Sequence, residues 1–131
     1  MLDSAKQETL NNEIHRLCDL FSQGSVKEVL DQTKKLLKRF PKSAALHIIA
    51  GDANTKLKQF DTGVRNYKKA IEINPDFAVS HFNLGNVLHD KGDLDAAIKS
   101  YASAIKLKPD YADSYLNIAV ALRTKGDLDA A

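Results

Sequence analysis

The stretch "GDLDAAIKSYASAIKLKPDYADSYLNIAVALRTKGDLDAA", residues 92–131, opens and closes on the same six-residue phrase. The two copies lie 34 residues apart, and a shift of 34 brings much more of the chain into register. Pro41, Pro75 and Pro109 align; so do Gly51, Gly85 and Ala119, and then Gly63, Ala97 and Ala131. Tyr67 falls on Tyr101, Ala70 on Ala104 and Leu88 on Leu122, while "NPDFA" (74–78) matches "KPDYA" (108–112). A fixed period of this size marks stacked supersecondary units.

One unit, 78–111, reads as two helices. His81, Leu84, Gly85 and Leu88 form the apolar stripe of the first, at helical spacing. Gly92 tolerates the turn, and the Asp93 carboxylate can cap the next helix. Leu94, Ala97, Ile98, Tyr101, Ala104 and Ile105 make the second stripe, which Pro109 ends because it lacks an N–H. Gly85 is expected to face Ala97 and Ala104 at a close helix crossing. Ser25 and Glu28 read as a capping box. The same reasoning along the chain places helices at 4–22, 25–39, 44–57, 60–73, 78–91, 94–107 and 112–125.

Leu84, Gly85, Leu88, Ala97, Tyr101, Ala104 and Pro109 resemble the 34-residue signature of the tetratricopeptide repeat, with His81 where that family usually carries Trp. Unit 44–77 keeps Gly51, Gly63, Tyr67, Ala70 and Pro75, with Asn54 in place of a large residue. Unit 10–43 is degenerate and keeps Leu20, Gly24 and Pro41. The resemblance implies an all-α fold, a right-handed superhelical solenoid of antiparallel helix pairs. It further implies a single array over 1–131, with repeats 10–43, 44–77, 78–111 and a truncated 112–131. The last unit breaks off as its second helix begins, so the chain reads as a fragment of a longer array.

Composition agrees with a packed soluble chain. The 131 residues are 44% hydrophobic and 27% charged, enough apolar surface to form a core. A net charge of +2 aims no strong field at nucleic acid or a membrane surface. No apolar run approaches the ~18 residues of a membrane helix, and the polar N-terminus is unlike a targeting peptide. The single cysteine, Cys18, fits a reducing compartment, and a cytoplasmic location is expected.

Catalytic, cofactor and metal sites are not expected. His47 and His81 are 34 apart, at equivalent places on successive units rather than at one site. "NLGN" (83–86) lacks the Gly-Lys-Ser/Thr of a phosphate loop. The basic run "KKLLKRFPK" (34–42) sets Lys34, Lys38 and Lys42 four apart, as a solvated outer face would. Nucleic-acid binding would bring aromatic interleaving, which is missing.

A second stripe on each first helix points to binding. In 78–91 it is Val79, Phe82, Asn86, His89 and Asp90; its counterparts are Ala45, Ile48, Asp52, Thr55 and Lys56, then Asp113, Leu116, Val120, Arg123 and Thr124. Farther N-terminal come Asn11, Ile14, Cys18 and Phe21. An apolar centre of Ile48, Phe82, Leu116 and Val120, flanked by amides and charges, suits a peptide. The resemblance implies that this stripe lines a concave groove in a protein-interaction scaffold. Asn83 and Asn117 resemble the asparagine ladder of O-linked N-acetylglucosamine transferases, although Ile49 and His15 break it earlier. Ile48 and Asp52 stand where the family's grip on acidic chaperone tails would place a Lys–Asn pair. The alternative is the N-terminal substrate-recruiting arm of a larger enzyme, such as a glycosyltransferase or sulfotransferase. The expected partner is a protein or peptide, not nucleic acid or membrane. Weak self-association is also expected, through Tyr115, Ile118, Ala119 and Leu122 of helix 112–125.

Overall fold

The computed structural model describes residues 2–130, so Ala131 of the repeat register lies outside the described residues. Seven helices run in order: α1 (Ser4–Ser22), α2 (Val26–Arg39), α3 (Ala44–Lys56), α4 (Phe60–Ile73), α5 (Ala78–Lys91), α6 (Leu94–Leu107) and α7 (Ala112–Ala130). Consecutive helices pack on one another throughout, and α3 also meets α1 and α5, while α5 meets α7. The first helices of successive units therefore form one continuous layer.

Two kinds of turn, each recurring every 34 residues, set this arrangement. Inside a unit the chain turns through a left-handed residue: Gly24 at φ 84°, Lys58 at φ 62° and Gly92 at φ 89°. The next N–H then reaches back, Ser25 to the Leu20 carbonyl at 3.0 Å, Gln59 to Asn54 at 2.8 Å and Asp93 to Leu88 at 2.9 Å. At Lys58 that turn is made at a cost of roughly 1–2 kcal/mol, since a Cβ crowds the backbone there. Between units, a side chain on the following helix ties down the proline loop. His47 Nε2 donates to the Pro41 carbonyl at 3.0 Å, His81 Nε2 to Pro75 at 2.9 Å, and the Tyr115 hydroxyl to Pro109 at 3.0 Å. A carbonyl only accepts, so each Nε2 carries its proton.

Caps follow the sequence with one correction. The side chains of Asp93 and Ser43 accept from Ala96 N–H at 3.4 Å and Leu46 N–H at 3.2 Å. Ser25 makes no side-chain cap, and Glu28 instead accepts from Gln32 Nε2 at 2.9 Å. Ser25 sits at ψ 54° rather than in the extended region, from which its short hydroxyl does not reach the first turn.

The core divides in two. Leu10, Leu17, Val29, Leu36, Leu46 and Ala53 bury one cluster around α1–α3. Val64, Tyr67, Leu84, Val87 and Tyr101 bury the other around α4–α6. Gly85 faces Tyr101 rather than Ala97 and Ala104: a Cβ there would lie 2.6 Å from the tyrosine ring, and the same holds for Gly51 against Tyr67. The glycines make room for an aromatic ring.

The last helix departs from expectation, running on to Ala130 instead of ending at 125. The identical phrase at 92–97 breaks because Leu94 (9% exposed) and Ala97 are buried by the helix that folds back. At 126–130 no such burial holds the turn: Leu128 is 65% exposed and Gly126 has an ordinary negative φ. With no tertiary reward for a break, the backbone ladder continues. Ion pairs link the units, Lys91 to Asp61 at 2.6 Å and Lys125 to Asp95 at 2.7 Å, again 34 residues apart.

Candidate functional site

Hydrogen bonds join each unit to the next at a repeated node. The Asp52 Oδ1 accepts from the Tyr67 hydroxyl and from Asn83 Nδ2 at 3.3 Å. One unit on, Asn86 Oδ1 accepts from the Tyr101 hydroxyl at 2.6 Å and from Asn117 Nδ2 at 2.9 Å. In both nodes a buried tyrosine on the second helix, an acceptor on the first helix and an asparagine on the following unit converge. Burial pushes the Tyr101 hydroxyl up to about 12 and raises Tyr67 further still, so both remain protonated donors at neutral pH. Burial also raises the Asp52 carboxyl above the usual carboxylate range, and the Tyr67 hydroxyl bond partly offsets it.

These nodes floor two openings on the layer of first helices. The larger, an open cleft of about 820 Å³, is lined by Asp52, Thr55, Lys56 and Lys58, by Asn83, Asn86 and Asp90, and by Phe21, Phe60 and Tyr67. The smaller, about 340 Å³, is lined by Asn86, His89, Asp90, Tyr101, Asn117 and Val120. Two carboxylates and two ammonium groups share the larger cleft, with Phe21 and Phe60 as its aromatic walls. Among the described residues, Asn83 and Asn117 each spend one amide N–H on their node and make no other side-chain hydrogen bond. Each keeps a carbonyl oxygen and a second N–H for a ligand.

The sequence-predicted stripe is thus only partly assembled. Asp52, Lys56, Asn83 and Asn86 share the larger cleft, and His89, Asn117 and Val120 the smaller one. Ile48 does not line either: it is 8% exposed and sits in the core with Val64 and Tyr67. Val79 packs half-buried on the same cluster, and Phe82 is held between Tyr101 and Tyr111, its ring centroid 4.8 Å from that of Tyr111. The expected apolar centre is therefore mostly spent on packing, and the floor is polar. Leu116 is 62% exposed and lies with exposed Arg123 outside both openings. Tyr67, Tyr101, Lys58 and Phe60 were not anticipated as lining residues. The signal lay in the tyrosines, whose polar tips require a partner when the ring is buried.

Among the described residues, no group of three or more His, Cys, Asp or Glu is placed to hold a metal ion. No helix among them is long and apolar enough to cross a membrane. Cys18 is exposed on α1.

A family model described as TPR repeat matches residues 51–92 and again 85–126, together more than half of the chain. Among solved structures, the crystal structure of MamA aligns with a TM-score of 0.80 at 25% identity, over 91% of this chain and 72% of that one. The first TPR of Spaghetti (RPAP3), bound to HSP90 peptide SRMEEVD, aligns at a TM-score of 0.84 and 20% identity, over 95% of this chain and 97% of that one. An O-GlcNAc transferase mutant from Thermobaculum terrenum aligns at 0.85 and 22% identity, over 92% of this chain and 23% of that one. These last two are likenesses of fold alone. No curated protein sequence matches the chain.

Proposed function

The chain belongs to the tetratricopeptide repeat family, a right-handed superhelical solenoid of antiparallel helix pairs, and from that premise we propose that it is an interaction module. Its cleft over α1, α3 and α5 holds an extended peptide segment of a protein partner. The observation that carries this reading is the pair of asparagines, Asn83 and Asn117, each anchored by one N–H and each keeping a free donor and acceptor. A side-chain amide with both groups free pairs with the N–H and C=O of a peptide unit, whatever the side chain beside it. Packed helices lie about 10 Å apart, and an extended chain advances about 3.3 Å per residue. Successive asparagines therefore suit every third residue of a bound segment.

Charge narrows the partner. Asp52 and Asp90 at the cleft repel an acidic tail, so a peptide like the SRMEEVD bound by Spaghetti is a poor fit. Lys56 and Lys58 balance these acids, which favours a neutral or mixed-charge segment.

The test is to select peptides on the immobilised chain and measure their affinity by calorimetry. Asn83→Ala combined with Asn86→Ala should weaken capture at least tenfold, about 1.4 kcal/mol, while the far-UV circular dichroism stays unchanged. Peptides that bind this double variant as tightly as the native chain would move the site away from the cleft.

A further inference from the structure

The exposed side of α7 carries a pattern that the peptide reading does not use. Tyr115 and Leu122 are more than half exposed, as is Leu116, and Val120 is 45% exposed. The helix packs only on α5 and α6, which leaves this side open to solvent. Asp113, Leu116, Val120 and Arg123 recur three, four and three residues apart, so they form one flank of the helix. Along that flank the order is acid, apolar, apolar, base. Neither Asp113 nor Arg123 takes part in an ion pair among the described residues.

This order is self-complementary. Asp113 and Arg123 centre on position 118, and so do Leu116 and Val120. Two antiparallel copies of α7, related by a two-fold axis beside residue 118, set each Arg123 against the other copy's acid and each Leu116 against its valine. Tyr115 and Leu122, centred half a residue away, meet on the opposite flank. An isologous contact of this kind closes after two copies and does not propagate. Antiparallel alignment also opposes the two helix dipoles favourably.

We propose that two copies of this chain pair through α7 in this arrangement, so that the module presents two clefts. The pairing is independent of whether the cleft binds peptide. A partner that grips the α7 end of the smaller opening competes with it, since Val120 belongs to both.

Sedimentation velocity of the native chain, from micromolar concentration to about 1 mM, the weak end of the affinity scale, should show a monomer–dimer equilibrium. Asp113→Arg alone, or Arg123→Asp alone, sets like charges together and should weaken the dimer at least tenfold. Mixed in equal amounts, the two single variants place opposite charges at both contacts and should associate as the native chain does. Both positions are exposed, so both variants should keep the native circular dichroism. A native chain that stays monomeric throughout would overturn the proposal. So would a mixture that fails to associate, or single variants that dimerise as well as the native chain.

Discussion

Replacing Gly85 by alanine should destabilise the fold, although alanine is the better helix former. A Cβ at Gly85 would stand 2.6, 2.7 and 3.0 Å from three ring atoms of Tyr101. That ring cannot step aside freely: it is 2% exposed, its hydroxyl is bonded to Asn86 at 2.6 Å, and Phe82 lies 5.8 Å away. Overpacking costs about 1–3 kcal/mol, and a displaced ring forfeits about 1 kcal/mol of hydrogen bond. Against this, alanine gains about 0.5–1 kcal/mol of backbone entropy and helix propensity. The balance is a loss of about 1–3 kcal/mol, read as a lower urea midpoint at unchanged slope. The control is Gly126→Ala, also within a helix but with nothing within 4 Å of its added Cβ. It should gain about 0.5–1 kcal/mol. Combining Gly85→Ala with Tyr101→Leu should cost less than the two changes summed, because the clash goes with the ring. If Gly85→Ala is as stable as the native chain, the close crossing assigned here is wrong.

Two other changes probe the repeated features. Lys58→Gly should raise stability by about 0.5–1 kcal/mol, because it relieves the left-handed strain; a lower thermal midpoint would remove the strain argument. Asp52→Asn reproduces the node that Asn86 already forms, and it should stabilise the chain at neutral pH. The sign follows from Asp52's raised folded-state value: the ionised acid penalises folding above that value and no longer does below the unfolded one. The gap between variant and native midpoints should therefore narrow as pH falls from 7 toward the ordinary aspartate range. A gap that widens would contradict the burial of this carboxyl.

The periodicity was legible because its elements are local. Turn residues, prolines and small residues recur at 34, and each states a backbone need that neighbours along the chain satisfy. The faces of α3 were harder. Ala44, Ala45, Leu46, Ile48, Ile49 and Ala50 make it apolar on nearly every side, since α1, α2, α4 and α5 all pack on it. A helical period then cannot tell a groove-facing isoleucine from a core one. The nodes were hidden for another reason: their members lie 15 and 31 residues apart and meet only once the units stack. Their parts were nonetheless visible singly, as Tyr67 with Tyr101 and Asn83 with Asn117 at the common period. The run-through of α7 was not legible at all, because "GDLDA" is spelled identically where it breaks and where it does not.

Peptide contact with the cleft is tested most directly by amide chemical-shift mapping of the labelled chain during titration with a selected peptide. The account predicts that the largest shifts fall on Asp52, Lys56, Asn83, Asn86 and Asp90, together with the side-chain amides of Asn83 and Asn117. Shifts concentrated instead on Lys34, Lys38 and Lys42 of the α2 face, with the asparagine amides unmoved, would contradict it.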